Sequence, residues 1–166
     1  MRTLPLGYST RHTRETDYPA IADAIGRWWD TPNRATLGRM LPRLFVQFFN
    51  STSWIVESES GEIGAFLIAF RSQDNPEIAY IHFIGVDPEV RRAGIATGLY
   101  ELVFETMKGL GCIQIRAITG SLNKRSQAFH ATMGFEAHGD RDIDGVMAYQ
   151  DYDGPGEPRV VFTRAL

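Results

Sequence analysis

At 166 residues the chain has the length of one domain, residues 1–166, and its 43% hydrophobic content is ordinary for a globular protein with a sizeable core. A net charge of -3 argues against a nucleic-acid partner, and Cys112, the single cysteine, excludes an internal disulfide and argues against a structural zinc site. No N-terminal hydrophobic segment reads as a signal peptide and no apolar run approaches membrane-spanning length, so the expected setting is a reducing cytoplasm with no membrane partner.

Residues 6–12 predict a short first strand. From Asp17 as N-cap, Ile21, Ala24, Ile25, Trp28 and Trp29 recur at helical spacing, and Asp30-Thr31-Pro32-Asn33 is expected to end that helix. A second helix is predicted from Arg34 to Phe49, with Leu37, Met40, Leu41, Leu44, Phe45, Phe48 and Phe49 on a wide apolar face and a kink or restart at Pro42. Strands follow over 52–57 and 63–70, joined by a hairpin turn at Glu59-Ser60-Gly61-Glu62. After a turn from Ser72 to Pro76, a third strand runs from Glu77 to Val86.

Asp87-Pro88 stops that strand, and a helix of residues 94–109 follows the basic turn Arg91-Arg92-Ala93-Gly94-Ile95-Ala96. Gly94 and Ala96 are small enough for a ligand to reach the backbone. The first N–H groups of a helix lack intrahelical partners and carry the positive end of its dipole, so this turn suits a pyrophosphate. Arg91 and Arg92 either add charge to that cradle or form a solvated turn. Lys108-Gly109-Leu110-Gly111 is a helix stop, and Cys112 to Thr119 reads as a buried strand with an inert thiol. A last helix spans Lys124 to Met133 and ends at Gly134. The acidic, Gly- and Pro-rich stretch 140–158 reads as a long polar connection, strand-like only from Gly145 to Tyr149, before a final strand over Arg159 to Thr163. It is either a solvated loop or a set of carboxylates that draws a cationic amine to a cleft.

Two patterns in this order resemble the GCN5-related N-acetyltransferases (GNAT). Arg91-Arg92-Ala93-Gly94-Ile95-Ala96 is similar to their (Gln/Arg)-x-x-Gly-x-(Gly/Ala) signature, preceded by Val86-Asp87-Pro88. Asn123, Ser126, Phe129, His130 and Gly134-Phe135 are similar to the family's Asn-x-x-(Ala/Ser)-x-x-(Leu/Phe)-(Tyr/His)-x-x-x-Gly-Phe helix. The likeness covers roughly residues 52–137, and the remainder matches by general layout. It implies an α+β fold: a mixed, mostly antiparallel sheet, splayed between the parallel strands 77–86 and 112–119, with about four flanking helices.

It also implies acetyl-CoA as co-substrate, without a metal. The backbone of Ile84 and Val86 would meet the pantetheine arm and the acetyl carbonyl. The N–H groups of Arg92, Ala93, Gly94, Ile95, Ala96 and Thr97 would hold the diphosphate, with Arg91 adding charge. Asn123 and Ser126, beside Phe129, would contact the pantetheine or the phosphates, although Asn before a helix also reads as an N-cap. In such proteins the first two helices form one wall of the substrate cleft, so Trp28, Trp29, Phe45 and Phe49 either line an acceptor pocket or are core. His130 stands where a thiolate-protonating Tyr is usual, and as imidazolium it is a competent acid; the other reading is a helix-face histidine bonded to its surroundings.

Side chains alternate along a strand, which puts Tyr80, His82, Ile84 and Val86 on one face. Tyr80 and His82 stand where several members of the resembling family carry a glutamate or histidines that relay the amine's proton through water, so the resemblance makes His82 the first candidate for that role, or else it is a satisfied core histidine; Glu77, near the strand's start and on the other face, is a weaker second. The expected activity is acetyl transfer to a primary amine of a small molecule. A protein N-terminus or lysine as acceptor, a longer acyl group and a non-catalytic acyl-CoA sensor are the alternatives. A homodimer is plausible by analogy.

Overall fold

Alternating exposure over Tyr8–His12 makes strand β1, which pairs antiparallel with β2 (Trp54–Ser58) from Tyr8↔Ser58 to His12↔Trp54. The computed structural model describes residues 6–29 and 34–166, and the helix break expected at Asp30 to Asn33 lies outside them. Helix α1 (Tyr18–Trp28) turns Ile21, Ala24, Ile25 and Trp28 inward, the period its sequence dictates. Asp17 precedes it without capping it. Its carboxylate instead accepts from the backbone N–H of Arg14 at 2.7 Å and from both terminal nitrogens of Arg11 at 2.8 and 2.9 Å. The apolar stretch that follows is two short helices rather than one, α2 (Arg34–Met40) and α3 (Leu44–Phe48), because Pro42 has no N–H to donate and its ring blocks the preceding turn.

The chain packs as two compact units, one running up to Phe70 and including Ile81–Met107, the other made of Arg71–Tyr80 and Lys108–Leu166. In the first, β3 (Ile63–Arg71) pairs antiparallel with β2 and is buried on both faces from Gly64 to Ala69. Its core joins Ile21, Ile25, Trp28, Leu41, Val46 and Phe66, with Phe83 of strand β4 (Ile78–Val86). Helix α4 (Ile95–Gly109) buries Ile95, Leu99, Tyr100, Val103, Phe104 and Met107.

In the second unit the start of β4 pairs in parallel with β5 (Gln114–Gly120) at Ile78↔Gln114, Ala79↔Ile115 and Tyr80↔Arg116. Helix α5 (Lys124–Thr132) follows. Strand β9 (Arg159–Ala165) pairs antiparallel with all of β5 on one side and with β6 (Glu136–His138) on the other. The hydrogen-bonded order is β1-β2-β3-β4-β5-β9-β6, a mostly antiparallel sheet with one parallel pair in a mixed α+β fold, as the sequence predicts.

Residues 140–158 are not the plain connection expected. Strands β7 (Arg141–Ile143) and β8 (Val146–Ala148) form a hairpin closed by Asp144-Gly145, both at positive φ (56° and 75°). An Asp-Gly dipeptide between β-favouring residues is the signature of such a tight turn, and it was there to be read. Asp144 also anchors the turn sideways: its Oδ2 accepts from Ser121 Oγ at 2.6 Å, and its carbonyl accepts from Lys124 Nζ.

Candidate active site

At the end of β4, Asp87 N–H donates to the Gly64 carbonyl and Asp87 Oδ1 accepts from Glu89 N–H, both at 2.9 Å, which turns the chain through Pro88–Val90. The backbone is left-handed at Arg92 (φ 68°) and again at Gly94 (φ 79°), the second a conformation glycine adopts without strain. Gly94 C=O accepts from Gly98 N–H at 3.0 Å, the first bond of α4. The N–H groups of Ile95, Ala96 and Thr97 thus precede the helical ladder and carry the positive end of its dipole. Beside them Gly98 is buried, yet a Cβ built there meets no heavy atom within 4 Å. A left-handed turn of N–H groups next to open space fits a diphosphate.

The sequence places Arg91 and Arg92 at that diphosphate. Arg92 and Ala93 are exposed on the turn. Arg91 is directed inward: its Nε donates to Val86 C=O at 3.0 Å and its Nη2 to Trp28 C=O at 3.2 Å. On β4 burial alternates as expected. Ala79, Ile81 and Phe83 are buried, while Tyr80, His82, Ile84 and Val86 keep partial exposure on the other face.

His82 Nε2 meets the Met40 carbonyl and its ring stacks on Phe45, with centroids 4.1 Å apart and planes at 13°. A carbonyl only accepts, so the imidazole donates from Nε2 and the lone pair is on Nδ1. Burial pulls its pKa below 6.5, against a smaller opposing effect of the Met40 contact. A neutral imidazole with its basic nitrogen at Nδ1 is suited to take up a proton. Phe45 and Phe49 continue the aromatic set with Phe70, while Trp28 is core, 5% exposed. Glu77, the weaker candidate, is exposed.

The second unit carries Tyr80, Asn123, Ser126, Phe129 and His130. Burial, then the neighbouring Tyr152 and Asp153, push the Tyr80 phenol well above its ordinary value, so it keeps its proton. Asp153 and Glu157 are both held by Arg159, at 2.7 and 3.1 Å, which offsets the negative charge expected to draw cations to this stretch. Asn123 Oδ1 caps α5 by accepting from Ser126 N–H at 3.1 Å.

His130 is 4% exposed and lies parallel to Phe162, centroids 4.4 Å apart, with Phe135 edge-on at 5.1 Å. Its Nδ1 donates to Ser126 C=O at 2.8 Å. Burial lowers its pKa, outweighing that bond, which favours the neutral ring at rest. Its environment is set by the end of α5. Gly134 N–H donates to Ala131 C=O and Phe135 N–H to His130 C=O, both at 3.0 Å, which folds Phe135 back onto the imidazole.

Cys112 is buried, donates to Pro76 C=O at 3.5 Å and has its pKa raised by burial, the inert thiol expected. Among the described residues no group of His, Cys, Asp and Glu is placed to hold a metal ion, and no helix is long and apolar enough to cross a membrane.

Comparison with known proteins points one way. The model of the acetyltransferase (GNAT) family matches residues 22–135. Aminoglycoside N(6')-acetyltransferase type 1 of Acinetobacter genomosp. 13 is 38% identical over 64 residues, which are 39% of this chain and 43% of that protein, less than half its length. Among solved structures, diaminobutyrate acetyltransferase EctA of Paenibacillus lautus, in complex with L-2,4-diaminobutyric acid and coenzyme A, superposes with a TM-score of 0.63 and 22% identity over 93% of each chain. The ribosomal-protein-S18-alanine N-acetyltransferase of Escherichia coli gives a TM-score of 0.66 at 18% identity, over 95% of this chain and 93% of that one.

Proposed function

The chain belongs to the acetyltransferase (GNAT) family, and from that premise we propose that it acetylates a primary amine of a small molecule, with acetyl-CoA as the donor. The observation that carries the donor side is the doubly left-handed turn at Arg92 and Gly94, with the leading N–H groups of α4 behind it. The partial likeness to an aminoglycoside acetyltransferase supports a small acceptor.

Acetyl-CoA supplies an acyl thioester open to direct attack by an amine. The N–H groups of Arg92 to Thr97 bind the diphosphate, and the backbone of Ile84 and Val86 holds the pantetheine arm and the acetyl carbonyl. In the second unit, Asn123, Ser126 and Phe129 are the α5 positions that the family's second motif assigns to coenzyme A. His82, neutral with its lone pair on Nδ1, accepts the proton the amine must lose, directly or through water. Tyr80 keeps its proton and orients that water. His130, neutral with its lone pair on Nε2, has no proton of its own to give: it holds a water by that lone pair, and the water relays the proton left on the attacking nitrogen to the departing sulfur. The surroundings favour a protein that runs best with both imidazoles uncharged.

Calorimetric titration with acetyl-CoA, followed by free-thiol release over a panel of small amines and peptides, tests the reading. Binding with release dependent on small amines is expected, and Gly94→Trp should abolish binding while the fold survives. Release only with peptides would move the acceptor to proteins. Binding without any release would leave a sensor, and no binding would overturn the proposal.

A further inference from the structure

The guanidinium of Arg91 joins two chain ends that are far apart in sequence. Val86 is the last residue of β4, and Trp28 is the last residue of α1, whose terminal carbonyl has no intrahelical donor. A cation there also meets the negative end of the helix dipole. The next residue, Trp29, is fixed at the same place: a Cβ built on Gly85 would lie 2.9 Å from the Trp29 ring and 2.6 Å from that of Phe66, so only glycine admits this approach. Trp29 also stands edge-on to Phe83, 5.6 Å between centroids. These rings belong to one cluster with Phe45, the residue stacked on His82. A continuous set of contacts therefore runs from the first residue of the turn, through the end of α1, to the imidazole.

We propose that Arg91 is a positioning residue, not a phosphate ligand: it couples occupancy of the 92–97 turn to the order of the α1 end and so to the setting of His82. This rests on the reading of that turn as the diphosphate site. A ligand on the N–H groups beside Arg91 fixes its backbone, its side chain then holds the Trp28 carbonyl more firmly, and linkage makes the effect reciprocal.

The test is amide hydrogen exchange of residues 24–29 with and without coenzyme A, together with calorimetric coenzyme A affinity, in wild type, Arg91→Gln and Arg91→Lys. In wild type, coenzyme A should slow exchange at 24–29. Arg91→Gln should lose that protection while its affinity for coenzyme A changes by less than about threefold, and Arg91→Lys should restore part of it through one carbonyl. With a working amine, Arg91→Gln should lower kcat by about tenfold and leave the KM for acetyl-CoA nearly unchanged. A tenfold or larger fall in coenzyme A affinity with the protection intact would make Arg91 a phosphate ligand. Coenzyme A binding that leaves exchange at 24–29 unchanged in wild type would overturn the coupling without any variant. No binding in wild type would instead remove the reading of the turn itself, and the coupling with it.

Discussion

His82 and His130 are held neutral by burial, and each donates to a backbone carbonyl from a different nitrogen, Nε2 in the first and Nδ1 in the second. The pH consequence has a definite sign. An imidazole whose native pKa lies below 6.5 binds fewer protons in the folded chain than in the unfolded one once the pH drops past that value. The stability it contributes is complete above pH 6.5 and is lost as the pH falls toward the lowered native pKa. His130→Phe keeps a flat ring against Phe162, so it should fold and show a shallower loss of urea midpoint between about pH 7 and 5. Its acetyl-CoA affinity should stay within about threefold while turnover falls; wild-type turnover would assign the ring to packing alone. At this scale the sequence was partly legible. Alternation along β4 was enough to put His82 on one face with Tyr80, Ile84 and Val86, though not to tell that this face is the half-open one. The burial of His130 was not, because Phe162 comes from a strand distant in sequence and no local pattern announces that stack.

Among the elements, β1 and the start of α1 are tied by Arg11, which meets Asp17 at 2.8 Å and Glu57 of β2 at 2.8 Å. Burial alone would raise the Asp17 pKa; the Arg11 guanidinium and the Arg14 N–H outweigh it and hold the carboxyl below 3.8. That contribution is present above about pH 4 and lost as the pH falls through the lowered value. Asp17→Asn should cost about 2 kcal/mol in urea unfolding at pH 7, and its deficit against wild type should shrink below pH 4. Sequence alone made Asp17 a helix cap, since Asp before a helical pattern has that reading by default. The bidentate arginine that claims the carboxylate lies six residues earlier and gives no sign in a helical period. Pro42, by contrast, marked its own break, and the β7–β8 hairpin was missed although Asp144-Gly145 spelled it out.

For the whole molecule, a ligand that binds only the folded chain raises its stability by mass action. Acetyl-CoA at one hundred times its Kd should add about 2.7 kcal/mol and lift the Tm by roughly 5–10 °C in a thermal melt, an increment Gly94→Trp should lack. The α+β class could be read ahead from the order of strands and helices, and the parallel β4–β5 pair followed from the family resemblance. The position of β9 between β5 and β6 could not, since pairing across the sheet depends on contacts no local window contains. The tight turn of the second unit bears finally on chemical ageing. Among aspartyl dipeptides, aspartate followed by glycine is the one most prone to cyclise, its carboxyl carbon attacked by the next backbone nitrogen to give a succinimide and then an isomerised chain. Here the Asp144 carboxylate is drawn to Ser121 and its carbonyl to Lys124, so both ends of the reacting unit are held in place while the protein is folded. The Asp144-Gly145 bond, one of two such dipeptides in the sequence, is thereby sheltered in the native state and exposed to this slow damage chiefly when the chain unfolds.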